Sequence, residues 1–119
     1  MSRPRRSGLA GARRLRLHAP IFAALGDETR LGLVARLCDQ SPSSISELAA
    51  GLPITRQATT KHLQVLESVG VVRGEMAGRA RLFELNPEPL MQAKDYLHLV
   101  ATQWDGALAR LKAHVESPR

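Results

Sequence analysis

Residues 44–85 contain, in one continuous stretch, the sequence patterns of two short helices, a tight turn and a pair of strands. Ser44 and Glu47 have the spacing of a capping box, in which serine caps the helix and glutamate bonds back three residues later. Residues 51–53, Gly-Leu-Pro, indicate the turn, and a second helix is predicted over 56–69. The segment therefore predicts a helix-turn-helix.

The second helix of this segment has two different faces. Thr55 is placed to cap it, and Gly70 is placed to end it in the left-handed conformation. Its inward stripe, at spacings of three and four, consists of Thr59, His62, Leu63, Leu66 and Val69. Its outward face consists of Arg56, Gln57, Thr60, Lys61, Gln64 and Glu67.

The outward side chains are of types that contact DNA. Arginine pairs with guanine and glutamine with adenine, while threonine contacts phosphate or a thymine methyl group. A helix about 20 Å long fits the major groove. We predict DNA contacts by Thr55, Arg56, Gln57, Thr60, Lys61 and Gln64. His62, at the inner edge, either reaches a phosphate or bonds locally. For the helix taken alone, an ordinary solvated amphipathic helix is the alternative.

A basic hairpin is predicted directly after this helix. Its strands cover 71–75 and 79–85 around a turn at 76–78, with Phe83 and Leu85 pointing inward. Three arginines lie on it: Arg73, Arg79 and Arg81. They are predicted to contact phosphate or the minor groove, and a charged edge that blocks strand pairing is the alternative. The pattern predicts a mainly α fold with a small β-hairpin, a winged helix-turn-helix.

The chain before this segment divides into a basic arm and two helices. Residues 1–17 hold six of the 17 basic residues and no acid, which predicts a disordered arm. The arm either adds phosphate contacts or has no role. A short helix is predicted over 20–25 with Pro20 in its first turn, and a longer one over 28–38 capped by Asp27. The longer helix has apolar positions at Leu31, Val34, Ala35, Leu37 and Cys38.

The last predicted helix carries a regular apolar stripe. Asn86 caps it, Pro87 is its first residue, and it runs to about residue 115. Residues spaced by seven are Leu90, Leu97, Trp104 and Leu111, and those between them are Lys94, Ala101, Leu108 and Val115. This heptad pattern predicts a homodimer seam. Packing within the monomer is the alternative, but the helix at 20–25 is too short to cover the stripe.

Composition sets limits on the class of protein. A chain of 119 residues with 44% hydrophobic content predicts one domain, assigned to 18–116, and 3% aromatics predict an aliphatic core. The chain contains no apolar run long enough to cross a membrane. The single cysteine, Cys38, cannot form an internal disulfide, so a cytoplasmic location is expected.

The sequence contains no pattern that supports catalysis or metal binding. No nucleophile elbow, Walker loop or HExxH motif occurs, so we predict no enzyme and no cofactor. The candidate metal ligands are His18, His62, His98, His114, Asp95 and Glu116. Zinc needs three or four ligands that converge, whereas His114 lies about 24 Å along the helix from His98. We predict no metal, with a site completed by a partner helix as the alternative. Cys38 is predicted to be a core thiol, with redox or arsenic sensing as the alternative.

Several segments carry a family resemblance. They are residues 23–31 (AALGDETRL), 46–49 (SELA), 59–66 (TTKHLQVL), 70–72 (GVV) and 78–79 (GR). With these segments the chain resembles the ArsR family of bacterial winged-helix repressors over residues 18–115. The resemblance implies an inverted-repeat operator, repression relieved by a signal, and a dimer formed through the first and last helices. The implied interface residues are Ile21, Phe22, Leu25, Leu90, Leu97, Ala101, Trp104, Leu108 and Leu111.

The chain departs from that family at the metal ligands. Positions of the family's thiolate box hold Ala49 and Gly51, and residues 95–98 and 114–116 lack the spacing of its C-terminal zinc site. The chain looks like the branch without recognised metal ligands. We predict a homodimeric, metal-independent transcriptional repressor that binds double-stranded DNA at a palindromic operator. The alternatives are a metal-responsive repressor with an atypical site and a non-specific DNA-binding or protein-interaction module.

Overall fold

The structure, a computed structural model, describes residues 6–117 and contains five helices and three strands there. In chain order they are α1 (Arg6–Leu25), α2 (Glu28–Asp39), β1 (Ser43–Ser44), α3 (Ile45–Ala49), α4 (Arg56–Ser68), β2 (Val72–Ala77), β3 (Ala80–Leu85) and α5 (Pro87–Glu116). The chain has the predicted winged helix-turn-helix fold, in which α3 and α4 form the helix-turn-helix and β2 and β3 form the wing.

The helix starts predicted from capping residues are confirmed for α2 to α5. The Asp27 carboxylate accepts a hydrogen bond from Arg30 N–H at 3.0 Å, and the Thr55 hydroxyl accepts one from Ala58 N–H at 3.0 Å. Asn86 caps α5, where Pro87 occupies the first turn. Because each cap joins residues two or three positions apart, the local sequence is sufficient to specify it.

The start of α1 differs from the prediction. Helix α1 begins at Arg6 rather than at Pro20, so Pro20 lies inside it, and the predicted disordered arm is helical over residues 6–17. Residues 1–5 lie outside the described part. Proline in a helix interior removes one hydrogen bond. The packing of α1 on α5 opposes this cost, because the rings of His18 and Phe22 lie 4.8 and 6.0 Å from the ring of Tyr96.

The sheet has three strands in the order β1-β3-β2, all antiparallel. Strand β1 is only two residues long and was not predicted, because it has no alternating pattern of its own. The turn of the wing is shorter and later than the predicted 76–78: Ala77 pairs with Ala80, which leaves Gly78 and Arg79 as a two-residue turn. Gly78 has φ of 66°, the value that glycine supplies at the first position of a type II′ turn.

The core lies between α2, α3, α4 and the sheet and is mostly aliphatic. Its buried hydrophobic residues are Ile21, Ala24, Leu33, Leu37, Leu48, Leu63, Leu66, Val71, Val72, Phe83 and Ala93. The predicted stripe of α2 is wrong in part: Leu37 is buried, whereas Leu31, Ala35 and Cys38 are exposed, and Leu33, which was not predicted, is fully buried. Cys38 is therefore not the core thiol that the sequence predicted.

The capping box of α3 is formed as predicted and supports a stability test. The Ser44 hydroxyl accepts from Glu47 N–H at 3.2 Å, and Glu47 Oε1 accepts from Ser44 N–H at 2.9 Å. Ser44→Ala should lower the free energy of unfolding by about 1 kcal/mol, because it removes a helix cap. Chemical denaturation at neutral pH measures the loss. Ser46→Ala, an exposed serine inside the same helix, is the control, and an equal loss there would contradict the cap assignment.

The same box predicts a pH dependence. The backbone N–H of Ser44, followed by its hydroxyl, holds the pKa of the Glu47 carboxyl below its usual 4.5. Because the folded-state pKa is lowered, this contribution to stability is present above pH 4.5 and is lost as pH falls through the lowered value. The difference in stability between wild type and Glu47→Gln should shrink in that acidic range. A difference that stays constant down to about pH 3 would show that the charge has no part in the box.

Candidate nucleic-acid interface

Helix α4 exposes one polar face and buries the other. Thr59, Leu63 and Leu66 are fully buried against the core, which orients the helix about its axis. The opposite face carries the predicted DNA-contacting side chains Arg56, Gln57, Thr60, Lys61 and Gln64, of which only Thr60 is partly buried. The last four of these line one shallow surface depression. The structure thus brings together the residues predicted for the major groove.

Thr60 of this face and Thr55, the cap of α4, already make hydrogen bonds to the helix backbone. The Thr60 hydroxyl donates to the carbonyl oxygen of Arg56 at 2.8 Å, so its proton is engaged. Contact between its methyl group and a thymine methyl needs no proton. The Thr55 oxygen accepts from Ala58 N–H, which leaves its O–H proton for a phosphate oxygen. Thr55 thus serves as the helix cap and keeps one donor.

His62 bonds locally, the second of the two alternatives left by the sequence. Its Nδ1 lies 3.2 Å from Arg30 Nη1 and 3.8 Å from Asp27 Oδ2. Arg30 Nε also donates to the carbonyl oxygen of Ala24. Arg30 therefore joins the end of α1, the start of α2 and the middle of α4. The backbone N–H of Arg30, with help from its guanidinium charge, lowers the pKa of the Asp27 carboxyl below its usual value.

The three arginines of the wing have different surroundings. Arg81 Nη2 donates to Glu67 Oε2 at 2.7 Å, and Arg73 Nη2 lies 3.6 Å from Glu84 Oε1. Arg79, at the tip, has no carboxylate within 4.0 Å among the residues that the structure describes. Arg79 is therefore the wing arginine most available to a phosphate, whereas Arg73 and Arg81 already have carboxylate partners.

Helix α5 exposes the predicted apolar stripe. Leu97, Trp104, Leu108 and Leu111 are all more than half exposed, with Trp104 at 62%. Phe22, Leu25 and Leu90 pack partly against the core. Ile21 is only 7% exposed and belongs to the core, so it is not available to a second chain as the sequence predicted. Ile21 lies on the face of α1 that packs on the core, and α1 is longer than the helix predicted over 20–25.

Two exposed apolar residues of α1 lie outside the helix predicted from the sequence. Leu15 and Leu17 are 56% and 63% exposed, and because they are two positions apart they lie on different faces of α1. The signal was present, because Leu17, Ile21 and Ala24 recur at spacings of four and three. That spacing conflicts with the preference of Pro20 for the first turn of a helix, which predicts a start at residue 20.

The candidate metal ligands do not come together in the part of the chain that the structure describes. His18 and Asp95 line a shallow depression between α1 and α5 together with Arg14 and Tyr96. Across residues 6–117 no three His, Cys, Asp or Glu side chains converge in a way that would hold a metal ion. None of the helices within this range is long and apolar enough to cross a membrane.

A helix-turn-helix with a polar second helix and a basic-tipped wing defines a winged helix-turn-helix DNA-binding protein. Residues 25–75 match the family described as "Helix-turn-helix domain". The chain is 41% identical over 76 residues to the uncharacterized HTH-type transcriptional regulator YuzN of Bacillus subtilis, covering 59% of this chain and 83% of that protein. A solved ArsR-like regulator, compared below, is 35% identical to this chain, which therefore belongs to the ArsR family of winged helix-turn-helix transcriptional regulators.

Solved structures agree with this assignment. An ArsR-like transcriptional regulator from Rhodococcus sp. RHA1 has 35% identity and a TM-score of 0.71, covering 87% of this chain and 96% of that one. The homodimeric winged helix-turn-helix domain of Mb0332 from Mycobacterium bovis, a possible ArsR-family regulator, has 18% identity and a TM-score of 0.61, covering 87% and 91%. The second likeness concerns the fold alone.

Proposed function

We propose that this regulator is a homodimeric, metal-independent repressor that binds an inverted-repeat operator. One observation carries the proposal: α4 holds Arg56, Gln57, Lys61 and Gln64 exposed on one face while its opposite face is locked in the core. A helix fixed in this way can enter the major groove with its polar face toward the base edges.

DNA is contacted at two places on each protomer in this proposal. Arg56 and Gln57, at the start of α4, read base edges, and Lys61 and Gln64 contact bases or phosphates further along. Arg79, at the tip of the wing, contacts the neighbouring backbone or minor groove. The carboxylate partners of Arg73 and Arg81 support a smaller part for those two side chains. The local bonds of His62 support leaving it out of the interface.

Dimerisation in this proposal uses the exposed stripe of α5 together with Leu15 and Phe22 of α1, which share a face at a spacing of seven. An exposed apolar stripe of this kind marks an interaction site. Mb0332, which shares the fold, is itself a homodimer. Two-fold symmetry then places two recognition helices about 34 Å apart, one turn of DNA, which requires an inverted repeat.

Repression follows from occupancy. A dimer bound across a promoter excludes RNA polymerase, so binding alone is sufficient. We expect the regulator to act in the cytoplasm, where bacterial operators are. Metal independence is supported by Ala49 and Gly51, which stand where a thiolate box needs ligands.

The test is fluorescence-anisotropy binding to the DNA upstream of the gene at near-physiological salt, with scrambled DNA as competitor. We expect tight binding that scrambled DNA does not remove and that zinc or a chelator does not change. Metal-dependent affinity would contradict metal independence. Equal competition by scrambled DNA, followed by failure of a random-sequence selection to yield a palindrome, would contradict the repressor proposal.

A further inference from the structure

Arg81 connects the wing to the recognition helix. Its Nη2 donates to Glu67 Oε2 at 2.7 Å, and its guanidinium carbon lies 5.0 Å from the centroid of the Phe83 ring. Glu67 belongs to the last turn of α4, and Arg81 and Phe83 belong to β3. The Arg81 and Glu67 side chains are 41% and 31% exposed, so the pair is half screened from water.

Gly74 makes room for this arrangement. It pairs with Phe83 across β2 and β3, and the side chain of Arg81, which pairs with Met76, extends over it. A Cβ atom at position 74 would stand 2.7 Å from Arg81 Nε and 2.9 Å from its guanidinium carbon. A side chain at this position would therefore require the end of the Arg81 side chain to shift. Glycine leaves Arg81 free to lie flat and reach Glu67.

We propose that Arg81 is a positioning residue, which holds the wing at a set angle to α4 through Glu67 and thereby aligns Arg79 with the DNA backbone. The inference rests on the proposed function. Two elements that grip one duplex must keep a fixed relative orientation, because a misaligned side chain no longer adds to the binding free energy. Backbone bonds at Gly70 and Val71, the pairing of β3 with β1 and the burial of Phe83 fix the base of the wing, and the Glu67–Arg81 pair adds an attachment nearer its tip.

The sign of one effect separates this role from direct DNA contact. Glu67 is an acid on a helix that faces phosphates, so electrostatics alone predicts tighter DNA binding when it is removed. If Glu67 holds Arg81 in place, its removal instead weakens binding. An Arg81 that contacted phosphate would have to leave Glu67, and Glu67→Ala would release it to do so.

The experiment compares five single variants by anisotropy over a series of salt concentrations. Glu67→Ala, Arg81→Ala and Gly74→Ala should each weaken binding about two- to fivefold, the size expected for a half-exposed ion pair. Gly74→Ala alters no charge, so weaker binding by this variant would come from displacement of the Arg81 side chain and not from electrostatics. Glu84→Ala, which removes an acid from the same wing but leaves the Glu67–Arg81 pair, should not weaken binding. Arg79→Ala should lower the slope of log K against log salt by about one per protomer, whereas Arg81→Ala should leave it unchanged.

Hydrogen exchange of residues 72–85 in the free protein provides a measure that does not depend on DNA. The three variants that break the pair should accelerate exchange there, and Arg79→Ala should not. Glu67→Ala and Arg81→Ala combined should be no worse than either alone. Tighter DNA binding by Glu67→Ala, or a reduced salt slope for Arg81→Ala, would overturn the positioning role. Failure of the wild-type protein to bind any DNA would overturn the proposed function instead. Unchanged hydrogen exchange in Glu67→Ala, Arg81→Ala and Gly74→Ala would overturn the attachment of the wing, whether or not the protein binds DNA.

Discussion

Replacing Arg56 and Gln57 together with alanine should abolish operator preference while leaving the dimer intact. Both side chains are exposed at the start of α4, where a recognition helix contacts base edges. A bidentate contact to a base contributes about 1–3 kcal/mol of discrimination, so losing both should reduce the ratio of specific to non-specific affinity by at least about 30-fold. Competition anisotropy with operator and scrambled DNA measures this ratio.

The control for this prediction removes the same residue types elsewhere. Arg13→Ala with Gln40→Ala takes one arginine and one glutamine from exposed positions outside α4. If Arg13 binds a phosphate, its replacement weakens binding to all sequences alike and leaves the ratio unchanged. An Arg56 and Gln57 variant with an unchanged ratio would show that these residues do not read the operator.

Trp104→Asp should convert the protein to a monomer and weaken operator binding about 10²- to 10⁴-fold, because a monomer lacks the effective concentration that joins the two half-sites. Trp104 is 62% exposed in the single chain and lies midway along the α5 stripe, so the proposed interface would bury an unpaired aspartate. Sedimentation velocity measures the assembly state, and anisotropy measures the affinity.

The control for the interface is Met91→Asp. Met91 is 62% exposed on the same helix, but the positions one and two heptads further on, His98 and Asp105, are polar. This variant should stay dimeric. Trp104 is the single tryptophan of the chain, so its emission should shift to the red when wild type is diluted into monomer. A monomeric wild type, or a dimeric Trp104→Asp variant, would contradict the predicted seam.

Much of the site was predictable because it depends on residues close together in the chain. The inward residues of α4 follow from helical spacing, and the outward set is what remains. The structure shows these side chains on one exposed face, while their contacts with DNA remain predictions. The wing was predictable as a hairpin, since alternating residues flank a glycine turn, although the turn is at 78–79 and not at the predicted 76–78.

The availability of each wing arginine was not predictable in the same way. Glu67 and Arg81 are 14 positions apart, and Arg30 and His62 are 32 apart. No local pattern shows that such residues meet. From the sequence, Arg73, Arg79 and Arg81 are all expected to contact DNA, and His62 keeps two possible roles. Only the packed chain distinguishes them.

Local sequence alone determined the caps of α2 to α5, the turns at Gly70 and Gly78, and the division of α4 into two faces, because each depends on bonds or spacing within a few residues. The tertiary structure decided the length of α1, the exposure of Cys38 and the partners of Arg30 and Arg81. These features depend on contacts between distant segments. Such contacts form only when the helices pack, and that packing outweighs local preferences such as that of Pro20 for a helix start.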